Sequence, residues 1–257
     1  MNSKFELLLD DTVESFGIKL FRIRALISFD NVKAGDVGGY IEKEENLSES
    51  GNAWVYGNAR VYGNAWVYGD ARVSGDAWVY GDAWVYGNAR IYGNARVYGN
   101  AEVSGDARVY GNAWVSGNAW VYGDARVSGD ARVSGDARVY GNAEVSGDAR
   151  VYGNAWVYGN AEVSGDARVY GDARVYGNAE VSGDARVTSK KDYIVFKNSW
   201  SSFRWFTYTK SNKMWNVGCF SGTGQELIEK AYKDNEKSGK SYEAYVNLVL
   251  ELEKLDD

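Results

Sequence analysis

Histidine and proline are absent from this 257-residue chain, and cysteine occurs once, at Cys219. Without imidazole there is no histidine to act as a general base or a metal ligand, and none to activate one of the serines as a nucleophile. A single cysteine cannot close an internal disulfide. The N-terminus lacks the basic start and apolar run of a secretory signal, and no window reaches the roughly 18 apolar residues of a membrane span. The expected setting is therefore a reducing cytoplasm with no membrane partner. A basic arm is also missing. Residues 1–50 carry six basic and ten acidic side chains, residues 51–188 twelve and fifteen, and residues 189–257 eleven and ten, for a net charge of -6. Non-specific nucleic-acid binding is disfavoured by that balance, although arginines recur locally.

What the chain has in excess is glycine, 31 residues of it, and the glycine is periodic. From Gly51 to Thr188 the sequence divides into 23 consecutive six-residue units, such as GNAWVY at 51–56 and GDARVS at 69–74. The third place of each unit is Ala and the fifth is Val, except Ile91. Alternation along a strand sends Ala and Val to one face and the residues between them to the other. Small aliphatics then point inward, while Trp, Arg, Glu, Tyr and Ser point out. Gly followed by Asn or Asp tolerates the backbone angles of a corner. Three such sides make an 18-residue coil, giving about 7.7 coils and a rod roughly 37 Å long at the ~4.8 Å strand spacing. A meander or propeller would need longer strands or a period of about 40 residues. The expected fold is mainly β: a parallel, three-sided β-helix over 51–188, with a strand-containing cap over 1–50 and a small α+β domain over 189–257.

The pairing of Val55 with Ala59 and Val61 with Ala65, an aliphatic residue followed four places later by a small one, resembles the left-handed β-helix, or hexapeptide-repeat, family. That resemblance implies left-handed winding. The family often has Gly directly after the aliphatic residue, whereas here Tyr or Ser stands there and Gly comes second. The flanking stretches YIEKEENLSESGNAWV and MWNVGCFSGTGQELIEKAY resemble phage and prophage proteins of unknown function. They imply the cytoplasm of a phage-infected or prophage-carrying bacterium, or association with the virion. Acyltransferase and carbonic-anhydrase-like members of the hexapeptide family use histidine as base or metal ligand, and this chain has none. Carboxylate chemistry would need a cleft, which a convex rod does not supply. No catalytic residue, cofactor or metal is expected.

Placing residues 18 apart in one column gives three unequal faces. The first runs Trp54, Arg72, Arg90, Arg108, Arg126, Glu144, Glu162 and Glu180, with mostly Ser in its second column. The second alternates Arg60, Trp78, Arg96 and Trp114 before a run of Arg from Arg132 to Arg186. On the third face the aromatic residues Trp66, Tyr68, Trp84, Tyr86, Trp120, Tyr122, Tyr140, Trp156 and Tyr158 concentrate. Contiguous exposed aromatics either stabilise the sheet by stacking or mark an interface. The third face is thus the candidate for self-association, with a host protein, a glycan or nucleic acid as other partners. The function expected is structural or macromolecule-binding. Alternatives are an anti-defence protein that captures a host factor or signalling ligand, and a glycan-binding module. A column of Asp130, Asp148, Asp166 and Asp184 raises a calcium site, but arginines two residues later compensate the charge.

In the flanks, LFRIRALISF at 20–29 reads as a strand and GDVGGYI at 35–41 as turns, while Leu47 falls in the Ala column and Glu49 in the Val column. After Thr188 the runs YIVF, FRWFTYT and MWNVGCF read as three strands. Thr223 and Glu226 have capping-box spacing ahead of a helix carrying Leu227, Ile228, Ala231 and Tyr232. SGTG at 221–224 is accordingly a helix cap and not an anion site. Gly239 is expected to separate a second helix whose apolar surface comes from Tyr242, Tyr245, Val246, Val249, Leu250 and Leu252.

Overall fold

The computed structural model describes residues 2–201 and 203–256. Residues 18 apart are parallel neighbours along the repeat: Trp54 lies beside Arg72, Arg60 beside Trp78, and Trp66 beside Trp84. The rungs sort into one sheet of eight strands, one of seven, and one of eleven that incorporates three strands from the N-terminal segment. The inward columns are sealed, with Ala119 and Val121, for example, both at 0 % exposure. Outward residues carry the ladder: Trp120 N donates to Ala137 O at 2.9 Å and Tyr122 N to Val139 O at 3.0 Å. At the corners Asn does more than tolerate a turn. Asn100 Nδ2 donates to Asn118 Oδ1 (3.0 Å), and Asn118 Nδ2 to Asp136 Oδ1 (2.9 Å), so side-chain amides tie successive coils.

The N-terminal segment is a hairpin, β1 (Phe5–Ser15) and β2 (Ile18–Ala25), followed by β3 (Val37–Ile41). β3 corrects the reading of 35–41 as turns: it runs antiparallel to β2 and parallel to the rung beginning at Arg60, with Tyr40 beside Arg60 and Ile41 beside Val61. Its glycines hid it. A Cβ on Gly38 would stand 2.6 Å from Val55 O, and one on Gly39 2.6 Å from Ala59 O, so bare backbone is required against the rod. The offset here is 20 residues, and Leu47 likewise bridges Val67. Leu47 therefore occupies the Val column and not the Ala column, and Glu49 is exposed outside the frame. Coils begin at Tyr40, ahead of the repeat motif.

A first coil has carbonyls with no preceding coil to satisfy them, and side chains take that role. Lys4, 1 % exposed, donates from Nζ to Ala53 O (2.8 Å) and Ser48 O (3.1 Å). Asn46 Nδ2 donates to Ala65 O at 2.8 Å. Burial pulls the Lys4 ammonium down to about 8, against the attraction of Asp70. Between pH 8 and 10.5 the unfolded chain holds a proton that the native chain has released, so stability rises with pH. The gain is absent below about 8 and complete above about 10.5. Urea unfolding should show the wild type about 2 kcal/mol more stable at a pH ~1.5 units above that lowered value than at it. Lys4→Met should abolish the rise, and an equal rise in the variant would assign it elsewhere.

The C-terminal unit is an antiparallel sheet of the strands Tyr193–Lys197, Trp205–Thr209, Met214–Val217 and Phe220–Gly222, covered by α1 (Gly224–Asp234) and α2 (Glu236–Asp256). Its core gathers Phe206, Trp215, Leu227, Tyr242 and Val249. The expected strand at 214–220 is broken by a turn at Gly218 and Cys219, Gly218 having φ +59°, which creates the fourth strand. Thr223 caps α1 as expected, its Oγ1 accepting from Glu226 N while Glu226 Oε2 accepts from Thr223 N. The helices part at Asn235, not at Gly239. Asn235 Oδ1 accepts from Ser238 N at 2.8 Å, whereas Gly239 lies inside α2, where a Cβ would meet the Tyr232 ring at 2.3 Å, so its glycine makes room for that ring and ends no helix. Leu250 and Leu252 are exposed and lie outside the core.

This unit closes the other end of the rod with side chains. Thr207 Oγ1 accepts from Glu180 N (2.9 Å), and Asn216 Nδ2 donates to Glu180 O (3.1 Å), matching both ladder bonds of a missing rung. Ser211 Oγ accepts from Arg186 N (2.7 Å), and Tyr193 Oη donates to Arg174 O (2.9 Å). An edge satisfied this way is a poor template for another strand.

Candidate functional site

The third face rises on the seven-stranded sheet from Trp66–Val67 to Arg174–Val175. Its tyrosines form ladders: Tyr68 stacks on Tyr86 at 4.8 Å, and Tyr122, Tyr140 and Tyr158 stack in sequence at 4.8 and 5.0 Å. Ser104 interrupts the column, and Tyr86 Oη there donates to Glu102 Oε2 at 3.1 Å. Burial in the ladders raises the Tyr68 and Tyr140 phenols above their ordinary range. In the other column Arg138 lies between Trp120 and Trp156, its guanidinium 4.9 and 5.1 Å from their rings, and Arg174 lies 4.7 Å from Trp156. Much of this face is thus satisfied within the sheet, each such cation–π contact contributing roughly 0.5–1 kcal/mol. Trp66, Trp84 and Trp120 remain 39, 44 and 41 % exposed.

The second face is also rich in aromatics in its first half, which the column reading underweighted. Tyr62, Tyr80 and Tyr98 stack at 5.0 Å, and Trp78 sits between Arg60 and Arg96 at 5.1 and 5.0 Å. The hairpin of β1 and β2 leans over it: Phe16 meets the Trp78 ring edge-on at 5.6 Å, and Tyr62 is buried. On the first face Trp54, expected to point into solvent, is 1 % exposed beneath Phe5 and Phe29, and Asp30 pairs with Arg72. The far end of that face meets Thr207 and Asn216. Between Trp66 and Trp156, no ring contact or ion pair from either terminal segment reaches the third face among the described residues. Its availability comes from where the caps sit, which the columns alone do not encode.

Among the described residues no group of three or more Cys, Asp or Glu is placed to hold a metal ion. The Asp column from Asp130 to Asp184 makes no ion pair with the neighbouring arginines there either; Asn112 and Asn212 donate to its two ends, at 3.0 and 3.3 Å. No described helix is long and apolar enough to cross a membrane. A cavity of about 340 Å³ in the C-terminal unit is bordered by Arg204, Cys219, Lys230 and Tyr242, and no spacing in the sequence announced it.

No curated protein matches the chain. The family model described as the YdcK beta solenoid repeat matches twelve segments, from 53–69 to 167–181, that together span 53–87, 89–159 and 161–181. The matched residues are the coils whose rungs stack in the three sheets. That similarity and the observed 18-residue coils together identify the chain as a parallel β-solenoid protein.

Proposed function

We propose that this is a non-catalytic structural or macromolecule-binding protein that assembles through the third face of its solenoid. The observation carrying this reading is the row of indoles at Trp66, Trp84 and Trp120, more than a third exposed on a face that the C-terminal unit touches only at its last rung, through Tyr193 on Arg174 and Lys190 on Tyr176. A contiguous aromatic patch is costly to hydrate, and Trp, Tyr and Arg dominate binding hot spots. The absence of histidine supports the non-catalytic part. Val-to-Ala spacing of four supports left-handed, hexapeptide-type winding, and the flanking sequences support a phage-infected or prophage-carrying cytoplasm.

Replacing Trp84 and Trp120 together with Ser should weaken self-association measured by light scattering by at least about tenfold, since interface indoles commonly contribute 2 kcal/mol or more. The fold should survive, because both side chains project outward. Arg90→Ser with Arg108→Ser on the first face is the matched control. Unchanged assembly of the folded Trp variant would leave the aromatics as internal sheet stabilisers. Normal self-association combined with loss of a bound glycan or host factor would move the function to that partner.

A further inference from the structure

Seven rungs give the third face a central one, that of Trp120. Counted outward from it, equidistant rungs carry Glu102 and Arg138, then Trp84 and Trp156, then Trp66 and Arg174. We infer that this face is self-complementary about Trp120 and that its occupant is a second copy of the chain with its solenoid axis antiparallel. This rests on the association proposed above and specifies its partner and register.

A two-fold axis lying in the interface along the strand direction, through Trp120, keeps each outward column over the same column of the second copy and reverses the order of rungs. Glu102 then meets Arg138 of the second copy, twice by symmetry. Trp84 meets Trp156, and Arg174 meets Trp66. Arg138 is suited to this. Its two planar faces are taken by Trp120 and Trp156, so its N–H edges are what remain for a carboxylate, and it has no carboxylate partner in its own chain among the described residues. Glu102 is the one acid in the outward columns of the face and is held by the Tyr86 hydroxyl.

Other packings lose the match. With parallel axes the columns exchange, setting Glu102 over Ser104 and Arg138 over Tyr140, so both charges are desolvated without an opposite partner. Slipping the antiparallel pair by one rung puts Glu102 on an indole. Slipping it by two puts Glu102 on Glu102 in one direction; in the other it sets Glu102 against Arg174 but Arg138 against Arg138, and it leaves Trp66 and Trp84 of both copies uncovered. Charge and the number of covered indoles together therefore select the register centred on Trp120, as complementary fields do at specific interfaces. Seven rungs at ~4.8 Å and a side of roughly four extended residues make a patch of about 34 by 13 Å. Two such patches bury on the order of 900 Å², below the ~1,200 Å² of a stable specific interface and in the range of weak, transient ones, which fits a reversible dimer.

Sedimentation equilibrium on the full chain tests this. Glu102→Arg and Arg138→Glu should each weaken dimerisation by about tenfold or more by placing like charges together, and the two combined should restore it. Register is tested separately in a Cys219→Ser background, which removes the exposed native thiol. Trp120→Cys should cross-link to itself on mild oxidation. Trp84→Cys should not, but should cross-link when mixed with Trp156→Cys. If Trp84→Ser with Trp120→Ser abolishes the dimer while the charge exchange fails to restore it and Trp120→Cys stays uncrosslinked, the register inferred here is wrong and association through the face stands. A wild type that remains monomeric at high concentration overturns both.

Discussion

Val121→Asp is expected to disrupt the solenoid, costing roughly 4 kcal/mol or more through a carboxylate buried without a partner. Val121 is fully buried and stacked between Val103 and Val139 in the axis of the rod. Neither neighbour, nor the Ala columns that complete the interior, offers a hydrogen-bond donor from a side chain. The damage should also spread, because each coil of a solenoid is stabilised mainly by the two that it touches. A charge at this coil weakens the interface on both sides and separates the rod into two halves, each with one raw edge. The matched substitution is Arg150→Ala, on an exposed residue whose rung neighbours are Arg132 and Arg168. Removing one charge from a column of like charges should change stability by no more than about 0.5 kcal/mol. Denaturant unfolding followed by circular dichroism compares the two, and small losses in both would reverse the inward and outward assignments.

Gly105→Ala should cost about 3 kcal/mol or more, from two separate causes. Gly105 has φ +67°, where an L side chain costs roughly 1–2 kcal/mol. An added Cβ would also lie 2.9 Å from Gly123 N and 3.0 Å from Gly123 O, backbone atoms that cannot move without opening the next coil. Gly177 separates these causes. Its φ is +72°, yet nothing lies within 4 Å of its Cβ position, because no further coil follows it. Gly177→Ala should therefore show only the conformational cost, about 1–2 kcal/mol. Equal shifts in the unfolding midpoint would mean that the corners have slack and that stacking is looser than the close approach of the glycines implies.

The rod was legible because its determinants are local and repeated. Ala and Val on one side of each strand, with Gly and Asn or Asp at the corners, define the coil without reference to distant residues. Prediction failed where the frame slipped or where a surface was covered from far along the chain. The two extra residues before Gly51 moved Leu47 from the Ala column to the Val column, which a strict six-residue frame cannot anticipate. Trp54 and Tyr62 were rightly placed in outward columns but are buried by Phe5, Phe29 and the β1–β2 hairpin, and no periodicity connects those segments. The nine aromatic residues chosen on the third face do share one sheet. The 18-residue columns also put Arg138 between Trp120 and Trp156, where it stacks; what they missed is the capping roles of Lys4, Thr207 and Asn216, which exist only once the ends of the rod are brought together in space.

The way the last rung is closed bears on how a chain of this kind changes length. Thr207 and Asn216 read the backbone amide and carbonyl of Glu180, groups that every coil offers in the same orientation, and Asn216 Oδ1 also accepts from Ser182 Oγ (2.7 Å), a serine that recurs in its column at Ser128, Ser146 and Ser164. Loss or gain of 18 residues returns the same side of the rod to that unit and shifts it along the axis by about one strand spacing, ~4.8 Å. Loss or gain of six residues presents the neighbouring side, turning the terminal unit by a third of a revolution relative to the hairpin at the other end. Tandem duplication or deletion of a near-identical repeat would thus act as two separate adjustments, one of the distance between the ends and one of their relative bearing, with the threefold phase deciding which is made.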